Sequence, residues 1–229
     1  MKLSIIIPAY NEEKTILEVI DRVKKVKIGN IKKEIIVIDD FSKDNTKKIL
    51  SKLKNIKVFF HKKNQGKGAA IRTGLKNAAG DIILIQDADL EYDPKEYPKL
   101  LEPILKNKVN VVYGSRRDAM KIDVKNMYKL HYFGNVALTM ITNLLFNVKI
   151  SDMETGYKVF KKEVIKGMKL RSKRFDFEPE ITAKIIKRGY KIKEVQIDFR
   201  GRKFDEGKKI TWRDGIKASY YLIKYRIID

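Results

Sequence analysis

Cysteine is absent from this chain, and histidine occurs only at His61 and His131. Disulfides, thiolate metal sites and multi-histidine metal centres are therefore excluded, and the composition is compatible with a reducing cytoplasm. Long apolar runs are missing too. The longest candidates, 136–146 and 220–228, are interrupted by polar residues and fall short of a spanning helix of roughly 20 residues. The apolar start at 3–9 is too short for a signal peptide and runs straight into a motif. Acidic residues are scarce against basic ones: 29 Asp and Glu face 51 Lys and Arg, for a formal net charge of +22. Such an excess suits nucleic acid, an anionic membrane face or phosphorylated substrates, or reflects the lysine-rich surface of proteins from hot environments. The lysines are spread along the whole chain. No helix-turn-helix, finger or RNA-binding signature accompanies them, so nucleic acid is not expected as a partner.

What is present is a foldable chain. Its 229 residues are 43% apolar, enough for one large α/β domain with its own core. In the first half strands and helices alternate. Strands are expected at 3–7, 34–38, 56–60, 81–85 and 109–113, with helices at 12–26, 44–53 and 66–78. Asp93-Pro94 with Glu96 marks a further helix start. This order argues for a mostly parallel sheet with helices on both faces. The second half is less regular, with helices expected at 127–146, 177–188 and 212–228, the last capped by Thr211, and a strand at 191–199. No linker rich in Gly, Pro or Ser and no repeat divides the chain.

Chemistry concentrates at the strand ends. Asp87-Ala88-Asp89 follows the apolar run 82–85, and side chains at i and i+2 of an extended segment project together. Two carboxylates at the carboxyl end of a strand, where open α/β sheets bind ligands, suit a divalent cation that holds a diphosphate. Tyr10 and Glu12, after the first strand, suit stacking on a base and accepting from a ribose or base. Asp39 and Asp40, after the second, suit the same donors, although Asp, Ser and Asn in such a place also serve ordinary turns. Asn64-Gln65-Gly66-Lys67-Gly68 lacks the third glycine of a dinucleotide loop and reads as a tight turn into a helix, with Lys67 placed to face a nucleotide. Arg116 and the loop of Arg202 and Lys208 offer cations for phosphate. Asp152 and Glu154 are candidate general bases.

These blocks in this order resemble the family 2 glycosyltransferases, especially the dolichyl-phosphate mannose synthase and polyprenyl-phosphate glycosyltransferase branch. The resemblance runs from Pro8-Ala9-Tyr10-Asn11-Glu12 through Asp39-Asp40-x-Ser42-x-Asp44-x-Thr46, the 64–74 block, Asp87-Ala88-Asp89-Leu90, Gly114-Ser115-Arg116 and Thr155-Gly156-Tyr157-Lys158 to the 202–208 loop. Phe41 and Asn45 stand where relatives usually carry glycine. The resemblance implies a single domain over 1–229 of the GT-A type, a Rossmann-like nucleotide-diphospho-sugar transferase fold. Residues 1–117 would take the nucleotide sugar and 118–229 the acceptor. Pro8, Tyr10, Glu12, Val37 and Asp39 would line the nucleoside pocket. Asp89 and Glu91 would hold Mg²⁺ or Mn²⁺, with Asp87 and Ala88 beside the donor. Arg116, Arg202 and Lys208 would neutralise phosphates. The implied reaction is inverting transfer of a sugar, with GDP-mannose as leading donor and a UDP-hexose close behind, to dolichyl or polyprenyl phosphate. A lipid-phosphate acceptor needs no strong base, whereas a hydroxyl acceptor would need a carboxylate such as Asp152. The amphipathic stretches 127–146 and 212–228 would then rest on the cytoplasmic face of a membrane as peripheral anchors.

Overall fold

The computed structural model describes residues 1–122, 129–201 and 212–228. In chain order these form β1 (Lys2–Ala9), α1 (Ile16–Lys25), β2 (Lys32–Asp39), α2 (Thr46–Leu50), β3 (Lys57–Phe60), α3 (Lys67–Asn77), β4 (Ile82–Ile85), α4 (Tyr97–Leu105), β5 (Val111–Ser115), α5 (Arg117–Ile122), α6 (Lys129–Phe146), β6 (Lys158–Lys161), α7 (Lys162–Ile165), α8 (Phe177–Lys187), β7 (Ile192–Gln196) and α9 (Trp212–Ile227). The strands make one sheet in the order β3-β2-β1-β4-β6-β5-β7. β1, β2, β3 and β4 run parallel, β7 is parallel to β5, and β6 is antiparallel to both β4 and β5.

The apolar runs sort by the period of two that extended chain imposes. Leu3, Ile5 and Ile7 of β1, Val37 of β2 and Leu84 of β4 face one side, under Ile16, Val19, Ile20 and Val23 of α1 and Leu100, Leu101 and Ile104 of α4. Ile6, Ile36, Ile38, Ile83 and Ile85 face the other, under α3 and Phe177, Ile181 and Ile185 of α8. Helix α3 lies close to the sheet because Gly74 has no side chain: a Cβ there would stand 2.4 Å from Cγ2 of Ile6. A smaller cluster joins Leu138 of α6 to Ala218 and Leu222 of α9.

Two expectations needed revision. The first strand-to-helix turn is longer than periodicity suggests, and α1 begins at Ile16. Residues 11–13 are instead tied to the loop after β2. Asn11 N–H donates to Ser42 Oγ, Glu12 N–H to Thr46 Oγ1 and Glu13 N–H to Asp44 Oδ2, while Lys43 and Asn45 N–H donate back to Asn11 Oδ1 and Glu13 Oε2. The second revision is β6, a strand where sequence pattern offered only a loop motif. Its Lys158 is buried, which hides the alternation of Tyr157, Val159 and Phe160, and the ammonium donates to the carbonyls of Met153 and Thr155. Thr211 and residues 127–128 lie outside the described residues. Asp93 caps the short turn at Pro94–Glu96 as expected, accepting from Lys95 N–H at 3.0 Å.

Directly after β4, Gln86 is fully buried and its amide is spent on the frame of the site. Its Oε1 accepts from the hydroxyls of Tyr97 (2.7 Å) and Tyr157 (2.8 Å), and its Nε2 donates to the carbonyls of Asp87 and Tyr92. Gln86→Leu removes the acceptor from two buried hydroxyls and is expected to destabilise the protein by about 2–4 kcal/mol, measured by chemical denaturation. A cost below about 0.5 kcal/mol would show that the network is dispensable.

Candidate active site

In chain order the sheet moves outward from β1 through β2 to β3, then returns to place β4 on the other side of β1. That reversal opens a crevice at the carboxyl ends of β1 and β4. A cavity of about 350 Å³ occupies it, lined among others by Pro8, Tyr10, Glu12, Asp87, Ala88 and Asp89. Lys67, Glu91, Arg116, Glu154, Gly156 and Glu178 complete the wall that bears on chemistry. The structure thus brings together most of the residues singled out from sequence, and both halves of the chain contribute.

Asp87 is held from two sides. Its Oδ1 receives Lys67 Nζ at 2.8 Å, and Gly156 packs so tightly that a Cβ there would lie 2.3 Å from Asp87 Oδ2. Lys67 Nζ also reaches Glu178 Oε1 at 3.3 Å. Burial alone would lower the Lys67 ammonium, but Asp87 and Glu178 outweigh it and hold its pKa well above the ordinary lysine value. Lys67 itself is positioned by Asp40. The carboxylate of Asp40 accepts from Gln65 N–H (2.9 Å) and Gly66 N–H (2.7 Å) and contacts His61 Nδ1, so the turn into α3 is anchored on the end of β2. Gly66 adopts φ +92°, and a Cβ there would stand 2.3 Å from the carbonyl oxygen of Lys173.

Past Asp87 the backbone turns sharply. Leu90 is left-handed at φ +62°, unusual for a branched residue, and the turn lets Glu91 N–H donate to Asp89 Oδ1 at 3.2 Å. Asp89 and Glu91 border the same cavity. Among the described residues no group of three or more His, Cys, Asp and Glu forms a metal site from protein atoms alone. A pair of hard carboxylates is the protein share of sites that Mg²⁺ or Mn²⁺ completes with substrate phosphates and water, so Asp89 and Glu91 fit that role.

Other expected residues stand differently from their sequence reading. Val37 is fully buried in the core beneath α1, so its side chain is not available to a nucleoside. Asp39 is fully buried, with Oδ2 accepting from Ser42 N–H at 3.4 Å and Oδ1 lacking a partner. Arg116 and Asp152 clasp each other: Asp152 accepts from Arg116 Nε at 2.7 Å, Nη2 at 2.8 Å and the backbone N–H at 3.0 Å. Burial pushes the Asp152 carboxyl up, but Arg116 outweighs it and keeps it below the usual carboxylate range. With both oxygens engaged and a lowered pKa, Asp152 is a poor base, and Arg116 brings a largely neutralised charge to phosphate. Arg202 and Lys208 lie outside the described residues.

Sequence reading passed over Glu178 and Arg174, which line the cavity from the start of α8 and the segment before it. One signal was available: Glu178 and Glu180 interrupt the apolar side of α8, where both are buried.

The chain matches the family model described as Glycosyl transferase family 2 over residues 4–168. It is 33% identical to a UDP-N-acetylglucosamine–dolichyl-phosphate N-acetylglucosaminyltransferase of Methanococcus voltae, covering 97% of this chain and 95% of that protein. The chain belongs to glycosyl transferase family 2. This family 2 glycosyltransferase is also 32% identical to a dolichol-phosphate mannosyltransferase of Pyrococcus furiosus, across 98% of its own length and 64% of that protein's. Its fold is the GT-A type, shared with glucosyl-3-phosphoglycerate synthase of Mycobacterium tuberculosis, a structure in complex with Mn²⁺, UDP and phosphoglyceric acid. The TM-score is 0.76 at 22% identity, over 100% of this chain and 79% of that one.

In this transferase, Gly156→Ala drives a methyl into Asp87 and must displace the carboxylate from Lys67. Because a shift of about 1 Å at a reacting centre costs on the order of 100-fold, sugar transfer by the variant is expected to fall by about that factor. Thermal unfolding of the same sample reports whether the fold survives; a folded variant with unchanged turnover would show that the close packing on Asp87 is irrelevant to the chemistry.

Proposed function

We propose that the protein transfers a sugar from a nucleotide sugar to dolichyl or polyprenyl phosphate, with inversion at the anomeric carbon. The observation that carries this reading is Asp87, pinned by Lys67 and Gly156, in a cavity that Asp89, Glu91, Pro8, Tyr10 and Glu12 also line. Tyr10 stacks on the base and Glu12 accepts from the nucleoside. Mg²⁺ or Mn²⁺, when bound by Asp89 and Glu91, supplies charge to the departing nucleoside diphosphate. Lys67 keeps Asp87 oriented, and Arg202 and Lys208 are the cations that the sequence offers for phosphates, the charge of Arg116 being largely taken up by Asp152.

The Arg116–Asp152 clasp supports a phosphate acceptor. A hydroxyl nucleophile requires a base to take its proton; of the two candidate bases, Asp152 has neither a free oxygen nor a suitable pKa, which leaves Glu154 as the carboxylate that reading would need. A phosphate monoester arrives already ionised and attacks without one. A lipid carrier also suits the outer face of α6 and α9. Phe133, Met140 and Leu144 line an exposed stripe on α6, and Tyr220, Ile223 and Ile227 another on α9, with Lys217 and Arg226 exposed beside it. No helix among the described residues is long and apolar enough to cross a membrane. Apolar stripes flanked by cations fit peripheral docking on an anionic bilayer, at its cytoplasmic face, with the donor-handling residues concentrated in 1–117 and the acceptor approached from 118–229.

Of the donors, UDP-N-acetylglucosamine moves ahead of GDP-mannose, because the similarity to the Methanococcus voltae transferase extends over nearly the full length of both chains. The test is to incubate purified protein with dolichyl phosphate, Mn²⁺ and labelled UDP-N-acetylglucosamine, GDP-mannose or UDP-glucose. Label is expected in the organic phase for one donor, abolished by chelation. Transfer only to water-soluble acceptors, or with no donor at all, would contradict the proposal.

A further inference from the structure

Glu154 stands between the two constraints of the site. Asp152, two residues before it, clasps Arg116, and Gly156, two residues after it, packs against Asp87. The loop carrying Glu154 is therefore held from both ends, and Glu154 borders the cavity. Its Oε1 is shut off from solvent and has no hydrogen-bond partner; the same is true of Oε2 of Glu178, which lines the same cavity. Glu178 has Lys67 for its other oxygen. With the nucleoside against Pro8, Tyr10 and Glu12 and the phosphates at 87–91, a sugar on the distal phosphate falls toward the remaining wall, formed by Lys67, Glu154, Gly156 and Glu178.

Resting on the transferase reading, we infer that Glu154 is a specificity residue that donates a hydrogen bond to one oxygen of the transferred sugar, a ring hydroxyl or an acetamido carbonyl. A charged carboxylate with one oxygen shielded and without a partner is costly, and protonation lowers the cost. Burial first, then the nearby Glu178, push the Glu154 carboxyl up to about 8; Asp152 adds to the rise, while Lys158 and Arg116 oppose it. This rise favours the proton-bearing form, which presents a donor where an ionised carboxylate would only accept. A site built around one buried hydrogen bond discriminates strongly against analogues that lack its counterpart.

The experiment compares unchanged protein, Glu154→Ala and Glu154→Gln on the accepted nucleotide sugar and on versions deoxygenated at single ring positions or lacking the acetamido group. For one position of the sugar, the unchanged protein should prefer the intact donor by tenfold or more in kcat/KM. Glu154→Ala should abolish that preference while leaving the ranking at other positions unmoved, and Glu154→Gln, which keeps a donor, should restore part of it. Loss of preference at the acetamido group identifies the carbonyl; loss at a ring position identifies a hydroxyl. Thermal melting and calorimetric affinity for the nucleoside diphosphate with Mn²⁺ show whether the variants are folded and bind the donor's other end. An Ala variant that is folded yet keeps the full preference, or loses activity equally on every donor, overturns the inference while the transferase reading stands. Failure of the unchanged protein to transfer any sugar sinks both.

Discussion

The site depends on one carboxylate, Asp87, being immobile. It projects from the end of a parallel strand that is buried on both faces, next to the place where the sheet reverses its order. The Gln86 amide holds the backbone carbonyl of Asp87, Lys67 neutralises one oxygen at 2.8 Å, and Gly156 closes over the other. Each of these supports is itself supported: Lys67 by the turn that Asp40 holds, Gly156 by Tyr92, whose hydroxyl accepts from Gly156 N–H at 2.8 Å. Preorganisation of this kind lets charges act on a reacting diphosphate without rearranging at the moment of transfer.

The distribution of charge follows a similar logic. A chain with a formal net charge of +22 places Asp87, Asp89, Glu91, Glu154 and Glu178 around one cavity. Of the cations that line it, Lys67 and Arg116 are each engaged by a carboxylate. The local balance therefore suits a divalent ion with a diphosphate and the hydroxyls of a sugar, while the basic excess elsewhere suits an anionic surface.

Much of this arrangement was legible in the sequence because it rests on local rules. The period-two pattern of β1, β2 and β4, the helical spacing in α1 and the turn chemistry at Asp93 each follow from nearest neighbours. So did the placement of Asp87 and Asp89 after a strand end, where both line the cavity. What escaped depends on contacts distant in sequence. β6 was hidden because Lys158 interrupts an otherwise apolar strand, and its burial is possible only with Tyr113 and the carbonyls of Met153 and Thr155 around it. The clasp of Asp152 by Arg116, 36 residues apart, changed a candidate base into a partner for arginine. Val37, expected at the nucleoside, belongs to the core because its place in the pleat directs it beneath α1. The departure at Phe41 was visible in sequence, and its consequence is structural: Phe41 adopts φ +64°, a conformation that glycine reaches without strain.

The central claim is that the acidic turn after β4 holds a divalent cation jointly with a nucleoside diphosphate. Calorimetric titration of Mn²⁺ into the protein, with and without UDP or GDP, tests it most directly, with Asp89→Asn as the comparison. The account predicts weak binding of Mn²⁺ alone, at least tenfold tighter binding when the diphosphate is present, and loss of that coupling in the variant. Nucleotide affinity that is indifferent to metal, or coupling that survives Asp89→Asn unchanged, would contradict it.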